Sequence, residues 1–131
     1  MHLSPRADMH GMGDSDLAAT FGYVARELGR RGIAFLMARE SEKPGWLGPQ
    51  LKEQFGGVYI ANEGFTRESA EAAIARGDCD AVAFGKPFIA NPDLVERFRT
   101  DAKLNDPNPA TFYSHGDEGY VDYPALEKAA A

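Results

Sequence analysis

The chain has 131 residues, a formal net charge of -6 and 26% charged residues, which excludes a general nucleic-acid or anionic-membrane binder, since both need a basic face. A hydrophobic content of 44% describes one ordinary globular domain, long enough to bury roughly 68% of its unfolded surface. No apolar run approaches the roughly 20 residues that span a bilayer. The first residues hold no apolar signal core, and the one cysteine, Cys79, has no internal partner. A cytoplasmic location is therefore the expectation.

In chain order, Leu17, Phe21, Val24 and Leu28 predict an amphipathic helix over 15–31, with Asp14 or Ser15 as cap and Gly32 as stop. Ile33–Ala38 is apolar at every position, the pattern of a strand covered on both faces. A second helix over 47–55 carries Leu47, Leu51 and Phe55 on one face and ends at Gly56-Gly57. The second strand is Val58–Ala61. The third helix is capped by Thr66, faces Ala70, Ala73 and Ile74 inward and closes at Gly77. Ala81–Phe84 makes the third strand. Asn91-Pro92 supplies a cap and first-turn proline for a last helix with Leu94, Val95 and Phe98 as its apolar face.

Strands that alternate with helices at this period imply right-handed βαβ units and a parallel sheet. The tail beyond 103 is turn-rich yet holds Phe112, Tyr113, Tyr120 and Tyr123, so it is expected to pack across the body. The domain reading is thus 1–103 for the βα units and 104–131 for the aromatic tail. Three parallel strands cannot close a barrel. The chain is either a small open sheet or part of something larger, and His2-Leu-Ser-Pro5, which looks like the last turn of another strand, favours the second.

Chemistry concentrates at two strand-to-helix junctions, Asn62-Glu-Gly-Phe65 and Phe84-Gly-Lys-Pro87. Backbone N–H groups at such junctions point out of the carboxyl edge of a sheet, where a phosphate accepts several hydrogen bonds. Gly64 and Gly85 admit an anion closely and Lys86 adds positive charge. The same residues also suit plain turns and a surface lysine.

Three segments are then informative together: Gly32-Ile-Ala-Phe-Leu36, Tyr59-Ile-Ala-Asn-Glu-Gly-Phe-Thr66 and Ala81-Val-Ala-Phe-Gly-Lys-Pro-Phe-Ile-Ala-Asn-Pro-Asp-Leu94. With Leu104-Asn105, Pro109-Ala-Thr-Phe-Tyr113 and Gly119-Tyr-Val-Asp-Tyr-Pro124, they resemble the Old Yellow Enzyme family of FMN-dependent ene-reductases. The resemblance runs over essentially the whole chain. It implies an α/β fold, part of a (β/α)8 barrel from the end of strand 5 through helix 8 plus the tail. It further implies FMN as cofactor, NAD(P)H as reductant and an activated alkene as substrate.

By the resemblance, Glu63, Gly64, Phe65, Phe84, Gly85 and Lys86 line the FMN phosphate. Phe112 approaches the flavin ring, and Tyr113 reaches toward the substrate. Glu63 stands where the family has Gly or Ala, so either its side chain points away from the phosphate or its carboxylate repels it. Lys86 stands where the family has Arg, and keeps the charge without the two-pronged geometry. His2 stands where an Arg contacts the flavin ring. No residue matches the family's substrate-polarising pair or proton-donating tyrosine, so no catalytic residue is assigned.

A full barrel takes about 250 residues. The expected partner is therefore a complementary N-terminal half-barrel chain, or further copies of this one. The alternative is a non-catalytic partial-barrel remnant with weak or no flavin binding, which associates through its open sheet edges. His2, His10 and His115 with Cys79 lack metal-ligand spacing, and Asp8, Asp14 and Asp16 lack the glycine and glutamate of a calcium loop. Asp78 and Asp80 are expected to raise the Cys79 pKa. Arg39, Glu40 and Trp46 are minor candidates for a pocket wall.

Overall fold

In the computed structural model, residues 1–6, 13–113 and 115–127 are described; Asp8 and His10 lie outside them. The chain forms two compact units, Met1–Ala83 and Phe84–Ala131. The first contains β1 (His2–Leu3), α1 (Leu17–Arg30), β2 (Phe35–Arg39), α2 (Gly48–Phe55), β3 (Val58–Asn62), α3 (Arg67–Ala75) and β4 (Ala81–Ala83). The second contains α4 (Lys86–Ala90), α5 (Leu94–Thr100) and the tail.

The four strands form one parallel sheet in the order β1-β2-β3-β4. Sequential order with right-handed crossovers sends every connecting helix of this unit to the same side of the sheet. Burial follows that rule. Leu36, Ala38, Tyr59 and Ala61 are fully or almost fully buried, as are Ala25 of α1, Leu51 and Phe55 of α2, and Ala73 of α3. On the opposite face Phe35 is 42% and Val58 49% exposed, and they are register partners. The unbroken apolar pattern predicts cover on both faces; instead one face is only partly covered, with Phe35 and Val58 exposed and Met37 and Ile60 half-buried.

Close helix packing fixes the covered side. A Cβ on Gly29 of α1 would collide with the Phe55 carbonyl at the end of α2, so the two helices meet backbone to backbone there. Helix α1 is capped by Asp16, whose carboxylate accepts from the Ala19 N–H, one or two residues later than predicted. Gly56 ends α2 in the left-handed region, and Thr66 caps α3 reciprocally with Ser69, both as expected. Ile74 is exposed on α3 and does not face inward.

In the second unit the sequence pattern misplaces a cap. Helix α5 starts at Leu94 after Asp93, and Asn91 does a different job. Its side chain is buried, donates to the Pro87 carbonyl and accepts from the Asn105 N–H. The short α4 over Lys86–Ala90 is an element the periodicity does not show. On α5, Leu94 is buried, Val95 is exposed and Arg97 is buried. Arg97 pairs with Asp93 at 2.6 Å and donates to the carbonyls of Lys103 and Pro124. Asn105 donates to the carbonyls of Ala90 and Pro124, and the Leu126 N–H donates to Asp93. The tail is thus fastened to α4 and α5 largely by polar groups.

Asp80 closes the turn before β4. Its carboxylate accepts from the Tyr59 N–H at 2.8 Å and from Lys52 at 3.0 Å, and these hold it below the usual carboxylate range. A depressed native pKa contributes stability above the unfolded value, and that contribution is lost as pH falls through the native one. Because the side chain is 40% exposed, Asp80→Asn is expected to cost only about 0.5–1 kcal/mol at neutral pH. Urea titrations at pH 7 and in acid check this: the difference from the parent should close as pH drops below the normal aspartate range.

Candidate functional site

The carboxyl ends of β2 and β3 are in register, Arg39 opposite Asn62, and Asn62 opposite Ala83 of β4. The Asn62 amide donates to the Ala83 carbonyl at 2.7 Å, which clamps the ends of β3 and β4 together. Beyond Asn62 the backbone turns through Glu63 at φ 91° and Gly64 at φ 77°. For Gly64 this conformation is free of steric cost, whereas for Glu63 it costs on the order of 1 kcal/mol. Among the described residues, the N–H groups of Gly64 and Phe65 have no protein acceptor. The Glu63 carboxylate is turned onto Arg39, with Nε–Oε2 at 2.9 Å and Nη2–Oε1 at 3.3 Å. The carboxylate is thereby held at the end of the neighbouring strand, while Gly64 stays exposed.

Phe65 closes this loop inward. Its buried ring meets Trp46 edge to face at 5.9 Å between centroids. Trp46 therefore packs over the end of the sheet within the loop after β2. The same loop is braced by Glu40, which is buried. Its carboxylate accepts from Arg6 at 2.6 Å and from the Leu47 N–H at 3.1 Å, and Arg6 also donates to the Gly45 carbonyl. Burial pushes the Glu40 carboxyl up, against the pull of the Leu47 N–H and the Arg6 guanidinium. Tyr59 lies fully buried beneath, its phenol raised by burial and then by the charges of Glu40 and Cys79. The Tyr59 hydroxyl and the Trp46 indole N–H find no hydrogen-bond partner among the described residues.

Of the other candidates, His2 stands exposed on β1 opposite Met37. In the second unit, Gly85 precedes α4 with open space where a Cβ would sit, and Lys86 is the first residue of that helix. Phe112 is buried and meets Tyr113, itself 87% exposed, edge to face at 6.5 Å. Cys79 is buried, and burial is the main cause of its raised pKa, with Asp78 and Asp80 adding to it and Lys52 opposing. No group of three or more potential metal ligands occurs among the described residues. A groove of about 530 Å³ in the second unit, bordered by Arg97, Asn105, Tyr123 and Leu126, coincides with none of the predicted residues.

No family model matches the chain. It is 38% identical, over 96% of its length, to a probable flavin mononucleotide-dependent alkene reductase of Leishmania infantum. Among solved structures it matches the old yellow enzyme of Trypanosoma cruzi at 36% identity, with a TM-score of 0.89 over 96% of this chain and 34% of the other. The chain is similar to the C-terminal part of Old Yellow Enzyme family proteins. It also matches morphinone reductase in complex with tetrahydroNAD at 42% identity, with a TM-score of 0.89 over 96% of this chain and 35% of that one. The chain spans little more than a third of the length of the curated relatives it matches. It corresponds to the part of the Old Yellow Enzyme barrel from the end of strand 5 through helix 8 and the tail, with β1 to β4 in the places of strands 5 to 8.

The role of Glu40 as a brace is not visible along the chain because its partners lie 34 and seven residues away. Glu40→Ala should destabilise the chain by about 2–3 kcal/mol, because it strips a charged acceptor from Arg6 and from the buried Leu47 N–H. The check is the urea midpoint at unchanged slope, and Glu40→Gln should lose less because it keeps one acceptor oxygen.

Proposed function

We propose that this chain is the phosphate-holding portion of an FMN-dependent oxidoreductase that uses NAD(P)H to reduce activated alkenes. The observation that carries the reading is the loop after β3. There Glu63 and Gly64 both take positive φ, the N–H groups of Gly64 and Phe65 have no protein acceptor among the described residues, and the one acidic side chain is tied aside. Such a backbone suits a phosphate, and in (β/α)8 barrels the loops after the last two strands are its usual place. The junction Phe84–Lys86 is a separate candidate in the second unit, with open space at Gly85 and a lysine charge.

The flavin supplies hydride transfer when bound. The part of this chain is to hold its phosphate through backbone groups, with His2 and Phe112 proposed at the ring system and Tyr113 at the substrate. No residue here is assigned the activation or protonation of the alkene. The partly covered face of the sheet, with Phe35 and Val58 exposed, supports the proposal of a partner. In a closed barrel that face is a packed interior, so the rest of the barrel, on another chain or a longer one, is the expected complement. No helix among the described residues is long and apolar enough to cross a membrane. A single buried cysteine suits the proposed cytoplasmic location.

The test is a titration of the purified chain with FMN and with riboflavin, followed by flavin fluorescence and absorbance. One FMN per chain is expected, held at least about tenfold more tightly than riboflavin because only FMN carries the phosphate. Oxidation of NADPH is expected only when the missing half is supplied. Failure to bind FMN both alone and with that half would overturn the assignment.

A further inference from the structure

We infer that Arg39 is a positioning residue for the phosphate loop: by holding the Glu63 carboxylate it masks the one negative charge that would otherwise repel the ligand. The inference rests on the reading of the loop after β3 as a phosphate site.

The geometry starts with the register. Arg39 and Asn62 are partners at the ends of β2 and β3, so the residue after Asn62 leaves the sheet beside the Arg39 side chain. The left-handed backbone at Glu63 fixes the direction of its Cβ, and the carboxylate meets the guanidinium at two points, 2.9 and 3.3 Å. Two parallel contacts hold the carboxylate in one orientation more firmly than a single one does. Both side chains are 42% exposed, so the pair adds little to the stability of the fold. A pair that costs the backbone an unfavourable φ and returns little stability calls for another role. Charge cancellation supplies one. A free carboxylate beside the loop's N–H groups would oppose a dianionic phosphate, and at separations of several ångströms such repulsion weakens binding by about tenfold or more.

Four chains decide it: the parent, Arg39→Met, Glu63→Gln and the double variant, each titrated with FMN and with riboflavin and each melted without ligand. The expected pattern is a loss of about tenfold in FMN affinity for Arg39→Met with riboflavin unchanged, and recovery to within about threefold of the parent in the double variant. Glu63→Gln alone should bind FMN as tightly as the parent or more so. Melting midpoints should stay within about 3 °C of one another, as for a surface pair. If the double variant remains as weak as Arg39→Met, Arg39 contacts the phosphate itself or supports the fold, and masking is wrong. If Arg39→Met binds like the parent, the inference fails while the phosphate site stands. If the parent binds no FMN either alone or with the complementary half, the phosphate reading falls first and this inference with it.

Discussion

Everything in the first unit depends on the handedness of its crossovers. Because each parallel connection turns the same way and each new strand joins beside the last, α1, α2 and α3 all lie on one side of the sheet. The buried row Leu36, Ala38, Tyr59 and Ala61 is the result, and so is the less covered face that begins with Phe35 and Val58. The same rule brings the carboxyl ends of the strands to a common edge, where Arg39, Asn62 and Ala83 stand side by side. The candidate site is a by-product of that edge. Its loop departs from a strand end that neighbouring strands hold on both sides.

The electrostatics of this unit are arranged in pairs. Glu40 is answered by Arg6 and a backbone N–H, Glu63 by Arg39, and Asp80 by Lys52 and the Tyr59 N–H. Each pair pins a residue that immediately precedes or succeeds a strand. A chain with net charge -6 thereby keeps its carboxylates from dominating the place where an anion is proposed to sit. The burial of Glu40 also stiffens the loop over the sheet, because a desolvated carboxylate cannot easily leave its donors.

The strand and helix alternation, the caps at Thr66 and Gly56, and the two glycine-bearing junctions were legible because each is encoded by residues within a few positions of one another. The features that were not legible depend on distant partners. Ile33–Ala38 reads identically whether a strand is covered on one face or two. Asn91-Pro92 carries the local mark of a helix cap, and only the tail fourteen residues later gives Asn91 its actual acceptor role. Arg97 looks like a solvent-facing arginine until the Lys103 and Pro124 carbonyls converge on it. Trp46 and Glu40 were visible as residues but not as a brace, since Phe65 and Arg6 reach them from other segments. The Arg39–Glu63 pair needs the register of β2 on β3, which no spacing along the chain reveals.

Cohesion by polar groups gives the second unit its own way of coming apart. Ala90, Leu94 and Phe112 are its buried apolar side chains among the described residues, while Asn91, Asn105 and Arg97 make most of its long-range connections. Apolar burial is graded, so losing a little of it loosens a structure gradually. Side-chain amides and a guanidinium satisfied by named carbonyls are closer to all or none, since each unmade bond strands a buried group. The unit is therefore built to open as one cooperative piece rather than to fray from the end of the tail inward.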